Sequence, residues 1–245
     1  MRKHTLVIVT LLALIIALVS VASAATVAEQ ADALYAARKD MANVVKGVAL
    51  IDAQLALNEK QYDLLWRQAK FYHFMGDRAT GKDRQANFEK GKTYAEKAVA
   101  LNNAGLDGHY WLAACIGSVG TERGILSSLF MVSPMKKELE ACIKIDPKHA
   151  STRYVYAQLL YKVPGFAGGN VKQALEEAKL SITYDPDVIA HWLYYGIIAA
   201  ANKDYKTARA ALEKAISMPD DPEDPFGSQQ DREEAKAELK KIEGK

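Results

Sequence analysis

One phrase recurs along this chain and limits what it can fold into. An apolar helical run closes on an acidic or amide residue, usually followed by proline, and a new helix then opens on an aromatic cluster. The phrase reads ACIKIDPKHASTRYVY from Ala141 and AKLSITYDPDVIAHWLYYG from Ala178, with a worn copy, AEKAVALNNAGLDGHYWLAA, from Ala95. The prolines of the two Asp-Pro pairs, Pro147 and Pro186, stand 39 residues apart. A period of about 30 to 45 residues marks stacked helical hairpins, each burying its apolar face against its neighbours. Strand signals are nearly absent, so the expected fold is all-α.

The last copy is the cleanest. AHWLYYGIIAAANKDYKTARAALEKAI carries Trp192, Gly196, Asp204, Tyr205, Ala208, Leu212 and Ala215 at the spacing of a tetratricopeptide repeat. Trp192 and Leu212 are expected to fill the space between two helices, while Gly196 and Ala208 are small enough to let the backbones touch. The same roles read backwards fall on Ala157 with Ala174, Ala113 with Met135, and Ala69 with Gly91. Longer connections separate these pairs: a polar loop over Asp77 to Gln85, an insertion over Thr121 to Val132 with a helix restarting at Ser133-Pro134, and a break over Pro164 to Asn170. Asn170 with Gln173 forms a capping box for the helix that follows. Asp220 to Gly227 reads as an extended linker, after which Ser228 caps a final helix whose Ala235, Leu239 and Ile242 make one apolar stripe. The expectation is a tetratricopeptide-like solenoid of about four helical hairpins over residues 25–218, with a linker and C-terminal capping helix over 219–245.

The first 24 residues belong to a different grammar. Arg2, Lys3 and His4 precede a run from Leu6 to Val21 that is almost wholly apolar, and Ala22-Ser23-Ala24 supplies a small-x-small site. These are the marks of a secretory signal peptide cut before Ala25, with an uncleaved anchor as the alternative, and they lead to a periplasmic location with no membrane span after cleavage. Without Arg2 and Lys3 the 32 basic residues fall to 30, equal to the 30 acidic ones. That neutrality gives no support for nucleic acid as a partner. Cys115 and Cys142 lie in apolar helical stretches; whether they bridge or act as small hydrophobes is left open by the sequence.

Chemistry is hard to find. Ala86 to Thr93 fits a loose phosphate-binding loop, but such a loop needs a strand before it and a helix after it, and here it falls inside a helical stretch. His73, His109, His149 and His191 share no metal-ligand spacing, and no nucleophile can be matched to a base. The reading is therefore non-enzymatic, without cofactor or metal. The aromatic residues carry more information. Aligning the repeats places Trp66, Tyr110 and Tyr154 at one position on successive outgoing helices, facing the concave side. Lys70, His73, Gln158, Tyr161 and Lys162 follow on the same faces. Together they are the candidate groove, set against the plainer alternative that the aromatics only pack.

The order LLWRQAKFYHFMG, YAEKAVALN, GHYWLAA, IDPKHASTRYVYAQLLY, VPGFAGGNVKQALEEA and AHWLYYG resembles bacterial exported proteins related to the T-component of TRAP transporters. A similar layout is found in the regulator-of-microtubule-dynamics group. The first resemblance implies a periplasmic binding or assembly partner, such as a substrate-binding protein, although the chain lacks a lipid-modified cysteine. The resulting expectation is an exported scaffold that binds a periplasmic or envelope protein through its concave face. The second reading is a transporter accessory that binds or channels a small organic ligand. Self-association is left open.

Overall fold

The computed structural model describes residues 25–245. Among them lie eleven α-helices and one 3-10 turn, Gly165–Ala167: α1 Val27–Ala36, α2 Met41–Leu57, α3 Tyr62–Arg78, α4 Gly81–Leu101, α5 Leu106–Glu122, α6 Ile125–Ile145, α7 Ala150–Lys162, α8 Val171–Tyr184, α9 Ile189–Ala201, α10 Tyr205–Ser217 and α11 Pro225–Lys241. They pack as consecutive hairpins, and each return helix also meets the next outgoing one. The expected solenoid is therefore present. Four hairpins, α3/α4 to α9/α10, are preceded by the pair α1/α2, whose first helix is short, and α11 closes the far end. Helix α1 starts on a full capping box formed by Thr26 and Glu29.

The recurrent phrase has a physical cause. Asn58, Asn102, Asp146 and Asp185 each end a return helix in an extended conformation. Each turns its side-chain oxygen onto the backbone N–H two residues on, at 3.1, 3.1, 2.9 and 3.2 Å. An amide or carboxylate that bonds its own backbone stops the helix and makes the corner. The next outgoing helix then reaches back to that corner: His109, Arg153, His191 and Trp192 each donate to the carbonyl six residues earlier, on Asn103, Pro147, Asp185 and Pro186.

These corners lie 44, 44 and 39 residues apart. The longer steps come from longer helices, not longer loops. Helices α3 and α4 run 17 and 21 residues and are joined by Ala79–Thr80 alone; α5 and α6 have the same lengths and are joined by Arg123–Gly124. The polar stretch Asp77 to Gln85 is thus mostly helix, with Gly81 at φ +56° making the turn. Helix α6 likewise continues through Pro134. Its ring removes one helical donor, but the helix runs on, with Met135, Leu139 and Cys142 buried on one face. The break at Pro164 to Asn170 is a true loop, where a Cβ on Gly169 would strike the Val163 carbonyl.

Close helix contacts fall where small residues were expected. A Cβ on Gly196 would come within 2.7 Å of Leu212 Cγ and 3.2 Å of the Ala208 carbonyl, and one on Gly91 within 2.9 Å of Cys115 Sγ and 3.1 Å of the Ala69 carbonyl. Leu193 and Leu212, both fully buried, fill the last hairpin, whereas Trp192 is half-buried at its side. Helix α11 lays Ala235 and Leu239 on this last core, joined by Ile242 just past its end. It begins earlier than the sequence suggests. Asp224 is its cap, accepting from Gly227 N at 3.0 Å, with Pro225 in the first turn. Ser228 is instead buried, accepting from Asp221 N and donating to the Asp224 carbonyl.

Candidate functional site

A groove of about 990 Å³ runs along the outgoing helices α3, α5 and α7. Of the eight candidate residues, His73, Tyr110, Tyr154, Gln158 and Lys162 line it. Trp66, Lys70 and Tyr161 do not. Helix α1 lies over the first half of α3, where its Asp32 holds Arg67 at 2.7 Å and the Arg67 guanidinium covers the Trp66 ring at 4.1 Å. Lys70 sits behind the groove wall, its ammonium 3.8 Å from the centre of the Tyr35 ring. Tyr161 packs at the seam between the last two cores. Trp66 is thus covered by Arg67 and lies off the groove, which α3 reaches only through its C-terminal half.

Two tyrosines form the middle of the groove. The Tyr110 ring meets Trp111 and His149 edge-on at 5.0 and 5.2 Å. Tyr154 packs against His191 at 4.9 Å and Tyr194 at 5.5 Å. Burial pushes the Tyr110 hydroxyl up to about 12 and raises that of Tyr154 well above its ordinary value. Both stay protonated at neutral pH, so each offers a flat apolar face with one polar tip. Lys162 donates to Gln158 at 3.0 Å and stands over the Tyr194 ring at the exposed rim. His73 bridges Ser118 Oγ at 3.1 Å and Asp77 at 3.3 Å. Burial works against the charge on Asp77, but the His73 contact with Arg84 and Arg78 nearby outweighs it and holds the carboxyl below its ordinary value.

The far end of the groove was not legible as a site. There Tyr35, Arg38, Phe74 and Arg78 gather from α1, the α1–α2 turn and α3. The end of the α10–α11 connection and the first turn of α11 cross to meet them. Asp221 and Glu223 bind Arg38 at 3.1 and 2.5 Å, and the Asp224 carboxylate binds Arg78 at 2.6 and 2.5 Å. The Arg78 guanidinium lies between two rings, 4.5 Å from the centre of Phe74 and 5.0 Å from that of Phe226. Residues read as a plain linker thus join the two ends of the solenoid. The only sequence signal was an acidic, proline-bearing run whose cationic partners lie 146 to 185 positions away.

Cys115 and Cys142 are free, fully buried thiols. Burial raises both, Cys142 to about 12. Ala86 to Thr93 lies within α4, where Phe88 and Gly91 are buried, so its backbone N–H groups are used by the helix. Among the described residues no helix is long and apolar enough to cross a membrane. The segment read as a signal peptide lies outside the described residues.

Fold and groove together define a helical-repeat protein of tetratricopeptide type. The same fold appears in solved structures at low identity: a thermophilic TPR protein of Thermus thermophilus (13% identical, 86% of this chain and 98% of that one, TM-score 0.65) and MamA of Desulfovibrio magneticus RS-1 (14%, 79% and 96%, 0.53). The family model "Regulator of microtubule dynamics protein 1-3" matches residues 27–167, and the chain belongs to that family. A protein of Caenorhabditis elegans named regulator of microtubule dynamics protein 1 is 25% identical over 71% of this chain and 84% of its own length. The Bos taurus protein of that name is 27% identical over 41% of this chain, which spans about a third of its length.

These relatives overturn the periplasmic expectation, because they come from animals, whose cells have no periplasm. A basic start followed by an apolar run is a general membrane-targeting pattern and does not by itself name the compartment. The periplasmic or envelope partner is withdrawn with it. Of the two groups whose layout the sequence resembles, the family shown is the second; kinship with the transporter T-component is not shown.

Proposed function

We propose that this chain is a non-enzymatic binding module that holds a segment of a partner protein in its groove. Tyr110 and Tyr154 serve as anchors, and Gln158, Lys162 and His73 set the register. The observation that carries this reading is the placement of both tyrosines, rings partly exposed and hydroxyls un-ionised, on successive outgoing helices of one continuous groove. Large rigid rings with a polar tip give contact area at little entropic cost, which is why such residues dominate binding energy. Membership of a family whose members are named for regulating microtubule dynamics supports a protein partner. The groove's volume of about 990 Å³ also fits the upper range of small-molecule sites, which supports a small organic ligand as the second reading.

The test compares wild type with Tyr110→Ala and Tyr154→Ala for partner recovery and for melting temperature. Recovery should fall at least tenfold at nearly constant melting temperature. A large fall in melting temperature with unchanged intrinsic affinity would show that the rings only pack. Native mass spectrometry of the purified chain decides between the readings: a retained small molecule favours the second.

A further inference from the structure

We infer that the acidic strap Asp220–Phe226 is a resident occupant of the groove's arginine end, and that the partner segment which replaces it is an acidic peptide carrying an aromatic side chain. The inference rests on the groove reading above and adds both the partner's chemistry and the means by which the site is kept closed.

The two sides of the contact are unequal. The cations belong to the groove and are nearly buried, with the Arg38 and Arg78 side chains 11% and 18% exposed. The carboxylates belong to the strap: Asp221 and Glu223, which hold Arg38, face water freely at 48% and 49% exposed, while Asp224, which holds Arg78, is 24% exposed. An arginine cannot shed its charge, so a buried guanidinium that loses its carboxylate remains as an uncompensated charge. Two other carboxylates are near: Asp77, which His73 and Arg84 already engage, and Asp231, which feels Arg78 electrostatically while the ion pair of Arg78 is with Asp224. An open groove is therefore costly unless whatever enters supplies carboxylates at the same two places.

The strap is also built like a bound peptide. Pro222 and Pro225 stiffen it, which lowers the entropy lost when it docks. Its one aromatic, Phe226, is 54% exposed, with its ring centre 5.0 Å from the Arg78 guanidinium. An incoming segment that carries carboxylates shortly ahead of an aromatic residue can supply the same contacts. A neutral or basic segment leaves Arg38 and Arg78 unpaired.

The test uses the full chain and a fluorescent peptide copying residues 219–227, with a neutral copy in which Asn and Gln replace Asp and Glu. The acidic peptide should bind the strap variant Asp221→Asn/Glu223→Gln/Asp224→Asn at least tenfold more tightly than wild type. Adding Arg38→Gln and Arg78→Gln should remove that gain, and the neutral copy should not bind. Equal affinity for wild type and the strap variant would overturn the strap as occupant; equal affinity of the acidic and neutral copies would overturn the partner class. Should the strap variant melt early, hydrogen exchange on wild type replaces it. Excess acidic peptide should then strip protection from residues 220–231, and unchanged protection refutes displacement. Tyr154→Ala in the strap variant keeps the two readings apart: Tyr154 packs against His191 and Tyr194 and not at the arginine end, so peptide affinity should stay unchanged whether or not partner recovery falls, and a loss of peptide binding would overturn the arginine end as its site.

Discussion

At the scale of single residues, stability depends on a few places where backbones nearly touch. Gly196 is the sharpest of them, since its hydrogen faces Leu212 and the Ala208 carbonyl across the last hairpin. Both neighbours are fully buried and have nowhere to move. Gly196→Leu should cost about 1–3 kcal/mol or more by forcing α9 from α10. Urea denaturation checks this, and wild-type stability in the variant would mean that the two helices are not in contact at that point. Roles of this kind are local, which is why Gly196, Ala208, Ala157 and Gly91 could be assigned from spacing alone. Trp66 shows the limit. It aligns with Tyr110 and Tyr154 in sequence, but Arg67, held in place by Asp32 of α1, covers its ring, and α1 carries no repeat signature.

At the scale of elements, corners were readable and lengths were not. Asn102, Asp146 and Asp185 end their helices through bonds to their own neighbours, so sequence alone announces them. Helix α6 continues past Pro134 because of a buried face contributed by other helices, and no local rule contains that information. Helix α11 adds a titratable feature. Burial, reinforced by the Glu234 and Asp224 carboxylates and opposed by Arg78, raises Asp231 to about 6. A carboxyl raised on folding binds its proton more tightly in the folded state. Its contribution is thus full below pH ~4, its unfolded value, and is lost as pH rises through about 6. Asp231→Asn should therefore gain about 1–2 kcal/mol over wild type at pH 7, after allowance for solvent screening, and little at pH 4.5. His149 and His191, lowered by burial, act in the opposite direction over the same range. They are common to both proteins, so the difference between variant and wild type isolates Asp231. A gain that does not change between pH 4.5 and 7 would contradict the assignment.

At the scale of the whole molecule, the strap changes what kind of solenoid this is. Stacked repeats ordinarily behave as a one-dimensional array, each hairpin coupled only to its neighbours, so that damage at one end is not felt at the other. Here Asp221, Glu223 and Asp224 tie the last element to Arg38 and Arg78 near the first, and the ends become neighbours. Coupling should then skip the middle. Releasing the strap by Glu223→Gln and Asp224→Asn should lower amide protection in α1 and α2 at least tenfold, about 1.4 kcal/mol of local opening, although those helices lie far away in sequence. Protection in α7 and α8 should stay nearly constant. Because Asp221 and Glu223 are half exposed, raising salt should partly reproduce the effect in wild type by screening their pairs with Arg38, and less so the Asp224–Arg78 pair. Native-state hydrogen exchange reads all of this in one experiment. Loss confined to α11 would mean that the ion pairs form but do not couple the ends, and uniform loss along the chain would mean that the substitutions weaken the fold in general. Only a change at both ends with a quiet centre is the signature of a closed solenoid.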